Sequence, residues 1–383
     1  MIIFKFCRLF ILMVLLCTPL YSTGDPGGSE SPFRAGASWT GDMALSVKGG
    51  LKRGAAYLGM ATVDAGLNTE KAGLWRNGTI SVTAAHTHGS TPSSDLFGDA
   101  QVSSNIEAGN HIFLMELSIS QRFGPVELKA GLQDLNAVFA LSESGGLYLN
   151  SSFGINPVIS GNIPAPVFPL TSPGLTVIWD VSEAGSIAAA LFDGRPLPFE
   201  DNPYNTRWKL DRGDGMLAMI EYRHASTAGG LRGEYRLGFF SHNHIIDRIF
   251  NPDLPAMPGH STHGGYAIAD RQVWVSGGRE AGLFLQAAYT PSANSFIDLS
   301  GAAGVNIKGL IRGRVDDMAG LAVTSGRFAG EGGTETAIEL TYKAQISDSL
   351  FLQPDLQYIL NPSGRESMTP HCLACFLRLG VTL

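Results

Sequence analysis

Beyond its first 22 residues the chain has no run of 18 apolar residues, so nothing there can span a bilayer as a helix. Charge is also scarce. Only 16% of residues are Asp, Glu, Lys or Arg, the net charge is -7, and no Lys/Arg run occurs. A nucleic-acid partner is therefore not expected. Cysteine is nearly absent: Cys7 and Cys17 lie in the first segment, and Cys372 and Cys375 stand in His371-Cys-Leu-Ala-Cys. A closed zinc site needs four ligands and there is no second Cys pair, while a haem attachment wants His where Phe376 stands. Those two cysteines read as a local disulfide or two free thiols, and neither metal nor cofactor is expected. His86-Thr87-His88 and His242-Asn243-His244 each put two imidazoles on one side of an extended chain, but without carboxylate or Cys companions they read as polar residues at strand ends. No Gly-x-Ser-x-Gly elbow or His-Glu-x-x-His pair is present, and the Gly-rich piece 326–333 lacks the strand-to-helix context of a phosphate loop.

What the chain does have is glycine, 47 of them, and long alternation. In 335–346, Ile338, Leu340, Tyr342, Ala344 and Ile346 alternate with Glu335, Glu339, Thr341, Lys343 and Gln345. After the turn around Ser347-Asp348, Leu350, Leu352, Leu356, Tyr358 and Leu360 oppose Gln353, Asp355 and Gln357. Side chains of a strand point to opposite faces with period two, so this hairpin has one apolar and one charged face. Each strand approaches the roughly 10-residue length of a strand crossing lipid in a barrel. Similar alternation recurs along the chain, as at 57–65, 80–84, 113–122, 126–133, 231–239, 283–289 and 377–383, giving about sixteen strands by pattern. The runs near Trp179 and Trp274 are the shortest.

The expected fold is all-β: a transmembrane antiparallel β-barrel with long external loops, one of them folded into the lumen. Residues 1–22 read as a signal peptide, with Lys5 and Arg8 before the apolar stretch Leu9 to Cys17. A lipidated Cys17 is disfavoured by the bulky Leu16 before it. Residues 23–39 read as a flexible lead-in and 40–383 as the barrel. Short turns fall at 123–125, 182–185 and 347–348. Long connections fall at 88–110, 139–173, 194–214, 242–267 and 361–374. The stretch 139–173 is distinctive: Pro157, Pro164, Pro166, Pro169 and Pro173 disfavour a ladder, while Phe153, Ile155, Val158, Ile159, Val167 and Phe168 require burial. A connection of that length is usually functional or disordered.

Several segments, in order along most of the chain, resemble the carbohydrate-selective porins of the OprB-like family. They are Gly49-Gly-Leu-Lys-Arg53, Asn68-Thr-Glu-Lys-Ala-Gly-Leu-Trp75, Thr87-His-Gly89, Ser104-Asn-Ile-Glu-Ala108, Gly131-Leu-Gln-Asp-Leu-Asn136, Gly309-Leu-Ile-Arg-Gly-Arg314, Glu339-Leu-Thr-Tyr342, Leu352-Gln-Pro-Asp-Leu-Gln-Tyr358, Asn361-Pro and Leu377-Arg-Leu-Gly-Val-Thr-Leu383. The resemblance implies a sixteen-stranded outer-membrane barrel that passes mono- or oligosaccharides by diffusion and performs no covalent chemistry. It also implies outer-membrane lipid and the barrel-assembly machinery as partners, with a homotrimer as one assembly. The chain departs from the family in ending on Leu383 rather than an aromatic residue, and in its His371 to Cys375 piece.

Strand parity turns Glu116, Arg122, Lys129, Arg232, Glu234, Arg236, Glu335, Glu339, Asp355 and Gln357 inward, as the candidate pore lining. Their mixed signs favour neutral or zwitterionic solutes. Asn150, Phe153 and Asn156 are the candidates on the constriction loop. Two rival readings, a lipase-like barrel enzyme and a secreted β-rich binding protein, are opposed by the missing nucleophile motif and by the outward apolar faces.

Overall fold

A computed structural model describes residues 31–208, 210, 214–243, 261–291, 295–330, 332–364 and 369–383. The leader expected over 1–22 and His244 of the second histidine pair lie outside them. The alternating runs form sixteen strands among these residues: β1 (Phe33–Lys48), β2 (Gly54–Asn68), β3 (Gly78–Gly89), β4 (His111–Phe123), β5 (Val126–Gln133), β6 (Ser172–Asp180), β7 (Gly185–Asp193) and β8 (Met216–Ser226), then β9 (Gly233–His242), β10 (Thr262–Ser276), β11 (Arg279–Tyr289), β12 (Ile297–Lys308), β13 (Met318–Phe328), β14 (Thr334–Ser347), β15 (Leu350–Leu360) and β16 (Cys372–Thr382). Each pairs antiparallel with its neighbours in sequence, and β1 pairs with β16 from Ser38↔Thr382 to Lys48↔Leu373, so the sheet closes. Closure leaves no strand edge unpaired, which is what a sheet surrounded by hydrocarbon requires.

The alternation sorts as the sequence reading expects. Leu340 is 54% exposed and Leu356 39% exposed on the outer face, whereas their neighbours Glu339 and Gln357 point inward and are fully covered. Met43, Leu45, Val63, Leu237, Leu285, Leu321 and Leu377 continue the outer apolar belt around the wall. A protein with only an aqueous exterior has no reason to expose such a belt.

Connections at one end are short: 124–125 between β4 and β5, 181–184 between β6 and β7, 277–278 between β10 and β11, and 348–349 between β14 and β15. The opposite end carries the long ones. Strand bounds differ from the sequence reading at several points, among them that β10 begins at Thr262 and β16 at Cys372, inside the connections expected over 242–267 and 361–374. β1 begins at Phe33, inside the expected lead-in, because its register with β2 runs out to Phe33↔Leu67. β10, expected to be short near Trp274, is 15 residues long. Arg232 precedes β9 and sits in the turn from β8. Pro173, expected to lie outside the ladder, is the second residue of β6 opposite Leu132, near the strand start where a missing N–H is tolerated.

Candidate functional site

A sixteen-stranded barrel is wide enough to hold an aqueous channel. Here two long connections fold back into it, and their chemistry explains why. Residues 134–171 contain only single helical turns, such as Leu135–Ala137 and Pro157–Ser160, so most backbone N–H and C=O groups lack a regular partner. Buried, such groups must find one. The wall supplies it.

The Glu339 carboxylate accepts from the N–H groups of Leu149 (2.6 Å) and Asn150 (3.0 Å). Glu221 accepts from the N–H of Ala140 at 2.8 Å, from the Tyr266 hydroxyl at 2.8 Å and from Arg236 at 3.0 Å. Arg223 and Arg236 both donate to the carbonyl of Val138. Asp270 takes the Ser142 hydroxyl and the Ser144 N–H. Gln286 donates to the Phe153 carbonyl, and Gln353 to the Leu147 carbonyl. Apolar side chains of the loop sink into the same wall. Phe139, Val158, Ile159 and Ile163 pack with Phe192, Met219, Phe240 and Ile268, while Tyr148 and Phe153 pack with Phe284, Ala302 and Ala322. Gly320 makes room there, since a Cβ at that position would lie 2.7 Å from the Tyr148 hydroxyl.

Residues 90–110 form the second inward connection. Glu335 accepts from the N–H groups of Ala100 and Gln101, both at 2.9 Å, and from that of Ser363. Gln357 donates to the Ser103 carbonyl at 2.8 Å. At the seam between first and last strands, Arg378 grips Asp42 with two bonds of 2.7 and 2.8 Å; Ser104 donates to Asp42, and Asn105 accepts from Arg378. Burial pushes the Glu107 carboxyl up to about 7, and that of Asp134, at the start of the other loop, up to about 6. A third segment seats Phe199 against Phe113, with the His111 and Phe199 rings stacked 3.9 Å apart.

The candidate residues thus separate into groups. Glu335, Glu339, Gln357, Asp355 and Arg236 face inward but lie beneath the two loops, holding loop backbone or one another. Asn150, Phe153 and Asn156 are buried between loop and wall. Asn150 and Asn156 accept from the N–H two residues on, at Ser152 and Val158, and cap short helical turns. Arg232 pairs with Glu280 at the short-turn end, and Glu234 pairs with Arg236. Glu116 and Lys129 pair at 2.7 Å across β4 and β5, about one-fifth exposed. Arg122 pairs with Asp180 and, at 3.7 Å, with Glu127 near the short-turn mouth.

Parity misses what the inner face of β1 to β6 does. There Ser38, Thr62, Asp64, Ser81, Thr83 and Ser120 point inward and stay partly exposed. The inward connections seat mainly on β8 to β16; Leu96, Phe97 and Ile106 also reach Ala44 of β1 and Leu58 of β2, and Phe199 reaches Phe113 of β4, so what stays uncovered on this side is the stretch that carries these hydroxyls. A hydroxyl every second residue along β3 and β4 was the available signal.

Cys372 and Cys375 are free thiols, the first and fourth residues of β16. His86 and His88 stack at 5.1 Å on the outer face, His88 bonded to the Tyr57 hydroxyl at 3.0 Å, and buried His242 contacts the Gly194 carbonyl. Among the described residues no group of three or more His, Cys, Asp or Glu is placed to hold a metal ion.

A closed barrel with an apolar exterior, a polar wall inside and loops folded into its lumen has the architecture of a porin. The family model for the carbohydrate-selective porins, OprB family, matches residues 52–383, and the chain belongs to that family. Among solved structures it is similar to Pseudomonas putida OprB at high pH, with 19% identity, a TM-score of 0.81, and coverage of 92% of this chain and 94% of that one. The low-pH structure of the same protein matches with 18% identity, a TM-score of 0.61, and coverage of 95% and 98%. Salmonella typhi OmpF in complex with daunomycin matches with 8% identity, a TM-score of 0.57, and coverage of 92% and 97%. No curated protein matches the chain. Family and fold place it as a carbohydrate-selective porin of the outer membrane.

Proposed function

We propose that this porin passes small neutral sugars passively, without covalent chemistry, along the uncovered wall of β1 to β6. The carrying observation is the division of the lumen: loops 90–110 and 134–171 seat mainly on β8 to β16, and hydroxyl groups line the part of β1 to β6 left open. Hydroxyls exchange hydrogen bonds with a sugar as readily as with water. Glu116 pairs with Lys129 and Arg122 with Asp180 on that side, so these charges offer little field to attract ions of one sign. Export behind the 1–22 leader, insertion by the barrel-assembly machinery into outer-membrane lipid, and assembly as a homotrimer belong to the same reading.

Swelling rates of proteoliposomes across a sugar series provide the test. Monosaccharides are expected to enter faster than disaccharides, and neutral sugars faster than anionic sugars of equal size. Equal rates across the series would remove sugar selectivity while leaving a general pore.

A further inference from the structure

The outer wall carries a group of donor atoms away from the pore. His86 and His88 stand two residues apart on β3, so both rings project from one face of the sheet. Opposite them on β2 lie Ala61 and Gly59, and these small residues leave the floor beneath the rings open. A Cβ at Gly59 would lie 2.6 Å from Nε2 of His88 and 2.9 Å from the Tyr57 hydroxyl. Both atoms therefore gather over one stretch of backbone that only glycine leaves clear.

Nε2 of His88 and the Tyr57 oxygen are 3.0 Å apart. Two ligands each about 2.0–2.1 Å from one metal ion lie about 3 Å from each other, so this pair has the spacing of a shared coordination shell. The His86 ring stacks on that of His88, with centroids 5.1 Å and planes 29° apart. Rotation about its soft χ2 torsion turns a nitrogen of His86 toward the same point. Nδ1 of His88 is buried without a hydrogen-bond partner among the described residues, so Nε2 is the nitrogen this ring offers. Tyr57 is 42% exposed, and the group lies near the end of β3 from which the 90–110 connection leaves, so an ion outside the barrel can reach it. In sequence the two histidines lack a carboxylate or Cys companion. The fold brings a third donor from the neighbouring strand, a phenol 31 positions from His88.

Two imidazoles and an oxygen suit a first-row divalent ion, and copper(II) binds such a set most tightly. We infer that Tyr57, His86 and His88 form a copper(II) site on the outer wall, at the rim that carries the long connections. As the Tyr57 oxygen binds the ion its proton leaves to solvent, and the phenolate becomes the third ligand. The site ties β2 to β3 and stands apart from the sugar passage.

The test titrates copper(II) chloride into the whole chain in detergent micelles and follows the bound ion by equilibrium dialysis and electron paramagnetic resonance. The parent is expected to bind one ion per chain, with hyperfine coupling to two imidazole nitrogens. His86→Ala and His88→Ala are each expected to weaken binding more than about a hundredfold, beyond what loss of a ligand's outer hydrogen-bond partner costs. Tyr57→Phe should remove the phenolate-to-copper absorption band and keep the nitrogen coupling. Gly59→Ala keeps all three donors but fills the floor beneath them, and should weaken binding about tenfold or more. Sugar entry into proteoliposomes, expected to be unchanged, shows that each variant has folded. A parent that binds no copper, or unchanged affinity in both histidine variants, would overturn the site while leaving the sugar pore standing.

Discussion

At the scale of single residues, the two faces of one strand make opposite demands. Leu340 and Leu356 meet acyl chains, and Arg at either should cost about 2–4 kcal/mol where the site falls near the bilayer midplane. Ser120, inward and partly exposed, should accept Arg at little cost. Urea unfolding in lipid vesicles checks both, and equal losses would refute the face assignment. Glycine marks a third kind of position. Gly320→Ala sets a methyl 2.7 Å from the Tyr148 hydroxyl, which itself bonds Asn306 at 2.7 Å. The expected result is a displaced Tyr148, about 1–3 kcal/mol of lost stability and a noisier open-channel current.

At the scale of elements, the loops behave as inserts seated on a finished wall. Replacing 147–168 by a short Gly/Ser linker removes no ladder bond, so the barrel should still close and conductance should rise, with weaker discrimination between mono- and oligosaccharides. An unchanged conductance in the folded variant would place the constriction in 90–110 or in the segment that carries Phe199. That second loop carries its own pH dependence. Burial holds Glu107 near 7 against an ordinary 4.5, with Asp99 and Asp95 adding repulsion and the Ser93 N–H opposing it. A raised folded-state value means that the stability is fully present below about 4.5 and is lost as pH rises through about 7. Protection factors for 90–110, corrected for intrinsic exchange, should therefore fall between pH 5 and pH 8, and Glu107→Gln should flatten that fall. How far sequence could reach is visible in the same elements. Alternation placed Ile338 and Leu340 outside and Glu339 and Gln357 inside, because parity is a local property of the strand. It could not separate Glu339 from Glu116, both inward, since what covers Glu339 is the backbone of residues 149–150, some 190 positions away. The register slip between β3 and β4, where Thr83 faces Glu116 and Ala84 faces Leu114 so that Met115 is an extra residue, was hidden for a related reason: only the pairing with β3 reveals it.

At the scale of the whole molecule, the seam joins the first and last strands to the middle of a loop. Asp42 comes from β1, Arg378 from β16, and Ser104 and Asn105 from the second inward connection. Arg378→Leu should leave the ladder between β1 and β16 intact but free residues 103–106, seen as faster exchange there and a larger mean conductance. The arrangement also imposes an order in time. Arg378 lies on the strand whose pairing with β1 seals the ring, so the seat for the second loop is incomplete until β16 docks on β1. A half-assembled barrel is thus an open hole, and the finished one is narrowed by the act of closing. The leak that any large pore threatens to the cell's permeability barrier is confined to the interval before the ring is sealed.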